Sequence, residues 1–215
     1  MRKLAWLWLV ASALVANAQT VSQLERHQVK ADAVTYRGKS AVHITESNPG
    51  GFPVDTFAVV KGTALLDGEM EAEIAGAPVN GSFEGARGFI GISFRVTADA
   101  GKFELFYLRP TNGRADDQLR RNHSTQYVSF PDWPWQKTRQ ETPGLYESYT
   151  DLEPGAWTKV RITVSGAKAR LYVNGAQQPC LVVNDLKIAP AKGAVGLWIG
   201  PGTDGYFTNL NIRPQ

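Results

Sequence analysis

Residues 157–175 read WTKVRITVSGAKARLYVNG. Val160, Ile162 and Val164 alternate with Lys159, Arg161 and Thr163, so an extended chain here has one apolar and one polar face, the period-two signature of a half-buried strand. Ser165-Gly166 supplies a turn, Ala169, Leu171 and Val173 resume the apolar face, and Asn174-Gly175 turns the chain again. The stretch predicts an antiparallel hairpin.

Similar short runs bounded by glycine and asparagine recur on both sides of it. Strands are expected at residues 41–46, 56–61, 69–75, 89–97, 103–109, 180–183, 194–199 and 206–212, and only 21–28 and 115–122 read as short helices. Many short strands at turn-punctuated spacing predict an all-β fold, a two-sheet antiparallel β-sandwich. One interval breaks the rhythm. The 46 residues 111–156 hold a single short strand candidate at 126–130, and a connection of that length inside a compact domain is usually functional or disordered. Tyr127, Phe130, Trp133, Trp135, Tyr146 and Tyr149 argue against disorder, which is poor in aromatics. The insertion is expected to lie on the sandwich as a lid or as one wall of a site.

At the start of the chain, Met1-Arg2-Lys3 is followed by an apolar run over residues 4–15 and by Ala16-Asn17-Ala18. That is the pattern of a secretory signal, too short to span a bilayer. Residues 1–18 are therefore expected to be removed on export to the periplasm or outside the cell, leaving residues 19–215 as one domain, a length that a single β-domain can reach. No other run is apolar enough for a membrane span. The signal carries two of the 23 basic residues, so the remainder has 21 against 20 acidic. Nucleic acid, which needs a sustained basic surface, is not an expected partner. Cys180 is the only cysteine. It rules out an internal disulfide, and its apolar setting, PCLVV, predicts a buried, inert thiol.

The hairpin, GFIGISFRV at residues 88–96 and GAVGLWIGPGTDGYFTNLNIRPQ at 193–215 together resemble the concanavalin A-like lectin/glucanase superfamily, including laminin G-like modules and the 3-keto-disaccharide hydrolase-like domain. The resemblance implies a jelly-roll sandwich and carbohydrate as the ligand. Its leading implication is hydrolysis of a glycosidic bond in an oligosaccharide or a modified (3-keto) disaccharide. The alternatives are a non-catalytic lectin-like carbohydrate-binding module and a purely structural envelope protein. Lectin-like sandwiches also admit calcium, although no fixed ligand spacing is present.

The polar chemistry gathers in FELFYLRPTNGRADDQLRRNHSTQYVSFPDWPW, residues 103–135, which hold four of the thirteen arginines. Guanidinium forks and carboxylates pair with sugar hydroxyls, and an indole face stacks on a pyranose ring. On that basis Asp116, Asp117 and His123 are the candidate catalytic groups, and Tyr107, Arg109, Asn112, Arg114, Arg120, Arg121 and Trp133 the candidate substrate contacts. Alternation places Leu105, Tyr107 and Arg109 on one face of a strand and Glu104, Phe106 and Leu108 on the other, and the first set suits a ligand-facing surface. Arg109 and Asp116 are expected to be exposed, so that removing either spares stability. The competing reading is that Asp116–Arg120 and Asp117–Arg121 are i,i+4 pairs that solubilise a surface turn. Glu69, Glu71 and Glu73 form a second candidate. Their spacing resembles the catalytic strand of family 16 glycoside hydrolases, but it equally suits a solvated outer face.

Overall fold

The computed structural model describes residues 20–50 and 55–215, so the expected signal at 1–18 lies outside the described residues. A 3-10 turn at Val21–Gln23 leads into β1 (Leu24–His27), β2 (Val29–Tyr36), β3 (Lys39–Glu46), β4 (Phe57–Leu65), β5 (Gly68–Pro78), β6 (Ile90–Val96) and β7 (Phe103–Leu108). A 3-10 turn at Pro110–Asn112, helix α1 (Gln118–Asn122), β8 (Thr125–Phe130), helix α2 (Trp135–Glu141) and β9 (Glu147–Ser148) follow. The chain closes with β10 (Thr158–Ser165), β11 (Lys168–Val173), β12 (Leu181–Val183), β13 (Gly193–Ile199) and β14 (Thr203–Pro214).

Among the described residues these strands form two antiparallel seven-stranded sheets, ordered β1-β4-β13-β6-β7-β8-β9 and β12-β11-β10-β5-β14-β3-β2. The hairpin at 157–175 forms as its alternation requires: Val160 opposes Val173, Ile162 opposes Leu171, and Ser165 opposes Lys168 across the turn. Its apolar face, with Met70 and Ile74 of β5, meets Ile92, Phe94, Phe106 and Leu197 of the facing sheet in one core. Burying these side chains from both inner faces drives the two layers together. Inside that core Glu104 accepts hydrogen bonds from Tyr127 Oη (2.6 Å) and Ile188 N (2.8 Å), and burial raises its pKa.

Two expectations need correction. The segment 21–28 is not helical. After the 3-10 turn it pairs as β1 with β4, because Leu24 is drawn into the core, and Gln28 (φ 52°) then turns the chain into β2 of the other sheet. Helix α1 begins only at Gln118, since Asp117 caps it by accepting from Arg120 N (3.0 Å).

The insertion at 111–156 is also more regular than expected. Its strands β8 and β9 extend the first sheet past β7, and α2 packs beside β8. The start and end of the insertion meet at Gly113, where any Cβ would collide with the Leu152 backbone. Only glycine permits that approach.

Candidate functional site

The register of the first sheet lines up Phe57, Trp198, Gly91, Tyr107, Gln126 and Glu147 as direct neighbours on β4, β13, β6, β7, β8 and β9. Directly opposed residues share a face. Phe57, Trp198 and Tyr107 belong to an apolar layer that also takes in Leu105, Val128 and Phe130, on the side of the sheet away from the main core. This row underlies the site, and its Trp198 and Tyr107 line the cavity floor. The row passes from aromatic rings at β4 and β13 to amide and carboxylate at β8 and β9. Gly91 is the gap in it: a Cβ there would strike the Phe106 carbonyl and come within 2.7 Å of Tyr107 Cβ. The missing side chain lets the Trp198 and Tyr107 rings meet at 5.2 Å between centroids.

At the polar end, Arg109 follows β7 on the same face as Tyr107. Its Nη1 donates to Glu147 Oε1 (3.0 Å) and to the His123 carbonyl (3.1 Å), and its Nη2 donates to Tyr107 Oη (2.7 Å) and Gln126 Oε1. Gln126 Nε2 donates in turn to Thr138 Oγ1 of α2 (3.1 Å). Arg139, also on α2, grips the same carboxylate through Nε to Oε2 (3.1 Å) and through Nη2 to Oε1. His123 Nδ1 lies 2.8 Å from Glu147 Oε2.

These contacts set the protonation states. Burial raises the pKa of Glu147, but the Arg139 hydrogen bond and the charges of Arg109, Arg139 and His123 outweigh it and hold the group below the ordinary carboxylate range. Burial lowers the His123 pKa, with Arg139 and Arg109 adding to that and Glu147 opposing it. The imidazole is therefore mainly neutral at pH 7. Burial raises the Tyr107 phenol, so it stays protonated.

Above the floor lies a cavity of about 670 Å³, within the range of small-ligand sites. Phe89 and Trp198 line one part, Arg87, Arg109, Arg120, His123 and Arg139 another, and Phe83, Leu119 and Trp135 stand at its rim with large exposed apolar surfaces. Arg139 stacks over Trp135 with Cζ 5.0 Å from the ring centroid. Among the described residues no group of three or more His, Cys, Asp or Glu side chains is set to hold a metal ion.

Of the residues singled out from sequence, Tyr107, Arg109, Asn112, Asp117, Arg120 and His123 line this cavity. Leu105 and Tyr107 face outward and Phe106 and Leu108 inward, the division that alternation predicts. The expectation that Arg109 is exposed is wrong, since it is buried beneath the cavity with its hydrogen bonds shared among four acceptor groups. Asp116 and Arg121 sit instead in a shallow depression on the other side of α1, beside Tyr149, whose hydroxyl accepts from Arg121 Nη2 (2.9 Å). Arg114 lies on the surface, forked onto Asp151 (2.8 and 3.1 Å) and reaching Glu153 (3.0 Å). Trp133 is occupied by the ammonium groups of Lys137 and Lys187, each 4.2 Å from its ring centroid. The i,i+4 pairs do not form as imagined, because Asp117 caps α1 while Arg120 donates to Asn112 Oδ1 (3.0 Å) and Thr111 Oγ1 (3.2 Å).

Glu69, Glu71 and Glu73 do share one face of β5, where Arg161, Arg213, Lys159 and Lys39 neutralise them. The Arg213 hydrogen bond leads in lowering the Glu69 pKa. For Glu73, burial pushes upward, but Lys39 and Asn209 bring the net value down. A glutamate held ionised in this way is a poor proton donor.

Sequence reasoning missed Glu147, Arg139, Arg87, Gln126 and Trp198. The last two had a detectable signal: each sits in an alternating strand, and pairing those strands in register brings both into the row with Tyr107.

No protein-family model matches the chain, and no curated protein matches it in sequence. Solved structures are similar in fold. A carbohydrate-binding module, CBM66 of Bacillus subtilis, is 14% identical with a TM-score of 0.54, covering 86% of this chain and 94% of its own. A Bacillus subtilis protein of unknown function with a galectin-like fold is 10% identical with a TM-score of 0.55, covering 90% of each. A candidate glycosyl hydrolase of Parabacteroides distasonis is 11% identical with a TM-score of 0.53, covering 94% of this chain and 93% of its own. The chain thus shares with these proteins the fold of a two-sheet antiparallel β-sandwich.

Proposed function

We propose that this protein binds carbohydrate in the cleft over the outer face of its first sheet. The observation that carries the reading is a cleft lined both by the rings of Phe89, Trp198 and Trp135 and by the polar side chains of Asn112, Arg120 and His123, which sets apolar surface beside hydrogen-bonding groups. A sugar ring has the matching character, with an apolar C–H face and an edge of hydroxyls. The structural likeness to a carbohydrate-binding module and to a protein with a galectin-like fold supports the same ligand class. If residues 1–18 direct export, the cleft works outside the cytoplasm, where polysaccharides are met.

A second reading, hydrolysis of a glycosidic bond, is favoured by one observation: Asp117 and His123 both line the cleft, and His123 holds a proton-accepting imidazole there. A glycan array with the mature protein tests binding, and chromogenic and 3-keto glycosides test turnover. Binding without turnover identifies a lectin-like module. Turnover abolished by His123→Asn, with binding retained, identifies a hydrolase. An empty array with a folded protein refutes both.

A further inference from the structure

The charge of the cleft is one-sided. Among the described residues its wall carries four guanidinium groups, Arg87, Arg109, Arg120 and Arg139, against one carboxylate, Asp117. Glu147 beneath the floor answers Arg109 and Arg139 together, so two positive charges remain in excess.

Arg87 and Arg120 account for this surplus. Arg87 Nη1 is anchored to the carbonyl oxygens of Glu84 (2.5 Å) and Ala86 (2.9 Å), and Arg120 to Asn112 and Thr111 side chains. Such neutral partners orient a guanidinium without cancelling its charge. The cost is visible at Arg87, whose pKa is lowered first by burial and then by the charge of Arg120, with Arg109 adding to that and Glu84 opposing it without reversing the shift. Like charges gathered in a partly desolvated cleft repel one another, and they focus a positive field on whatever enters. Folding needs no such arrangement, since Arg87 could point into water. A bound anion would relieve it. Guanidinium forks also match the paired oxygens of an acidic group.

We propose that the ligand is an acidic saccharide, a sugar bearing a carboxylate or sulfate group, with Arg87 and Arg120 contacting the anionic group while the apolar lining of Phe89, Trp198 and Trp135 takes the ring. This inference rests on the carbohydrate reading given above. It adds a charge requirement that a neutral-sugar lectin lacks.

The experiment is a glycan array carrying oligogalacturonate, oligoalginate and sulfated chondroitin fragments beside neutral xylo-, cello- and fructo-oligosaccharides, followed by calorimetry on the best acidic and best neutral probe. The expected result is at least tenfold tighter binding of an acidic probe at roughly 0.02 M salt, an advantage that fades at roughly 0.5 M as the charges are screened. Arg87→Gln and Arg120→Gln should each cut the preference for the acidic over the neutral probe tenfold or more and flatten its salt dependence, with circular dichroism reporting that the variants are folded. The carboxylated and sulfated probes separate the two sources of negative charge. Neutral glycans bound as tightly as acidic ones, or both variants keeping full acidic affinity, would overturn the inference and leave the carbohydrate reading intact. An array on which nothing binds would overturn both.

Discussion

Replacing Glu147 by glutamine removes one negative charge from beneath the cleft while keeping the shape of the side chain. Glu147 and Arg109 are buried together, with 3% and 6% of their side-chain surfaces exposed and 3.0 Å between Arg109 Nη1 and Glu147 Oε1. Breaking a buried pair from one side strands the other charge, at a cost of about 3–5 kcal/mol. Glutamine keeps an acceptor oxygen, and Arg109 keeps Tyr107, Gln126 and the His123 carbonyl. The loss should therefore lie near the lower end, about 3 kcal/mol, which for a domain of this size lowers the melting temperature by about 6–12 °C. Arg139 adds little, because 39% of its side chain is exposed and water can solvate it.

The same change has a pH signature. A carboxyl whose folded pKa is lowered contributes stability that is present above its unfolded value, about 4.3, and is lost as pH falls through the folded value. The deficit of the variant should be full at pH 7 and should shrink below about pH 4 as the wild-type group protonates. Thermal unfolding followed by circular dichroism at both pH values measures it. Equal melting temperatures at pH 7, or a deficit that acid leaves untouched, would refute the idea that this carboxylate neutralises the cleft floor.

Three further outcomes are expected. Gly91→Ala drives a methyl into the floor between Trp198 and Tyr107; it should cost about 1–3 kcal/mol by overpacking and abolish glycan binding, as read by denaturant unfolding and calorimetry. Arg114→Ala should leave both melting temperature and glycan affinity unchanged, because its ion pairs with Asp151 and Glu153 lie in water away from the cavity. Burial pushes the Cys180 thiol up to about 11, so alkylation by iodoacetamide at pH 8 should be about a hundredfold slower than for a free thiol and should accelerate only near pH 10 and above.

The parts legible in the sequence are those where alternation meets a buried face. Val160, Ile162 and Val164 announce β10 because every second residue enters the core, and Leu105, Tyr107 and Arg109 separate from Glu104, Phe106 and Leu108 for the same reason. Strand β2 was illegible because it is an edge strand, with only Val29 and Ala31 buried along its eight residues. Helix α2, WQKTRQE, buries a single residue, Thr138, so it has no apolar stripe to read. Within the site, Arg109 and His123 drew attention through local crowding of polar residues. Glu147 did not, since it stands alone in a two-residue strand and gains its role from Arg109, 38 positions away in sequence. Arg87 and Arg139 are equally isolated, and only the closing of β6, β8 and α2 around one face brings their charges together.

The corner at Gln28 also determines how the molecule would respond to being pulled. Strands β1 and β2 are one continuous arm folded around that corner, each on the outer margin of a different sheet, held by four residue pairs to β4 and by eight to β3. A force on the N-terminal end loads the four-pair ladder first and reaches the longer one only after the corner straightens. Strands β7, β8 and β9, at the polar end of the cleft, stand beyond β4, β13 and β6 and carry none of that early load. Tethered at this end, the protein would yield stepwise, giving up β1 and then β2 as a mechanical fuse before the polar end of the cleft is loaded.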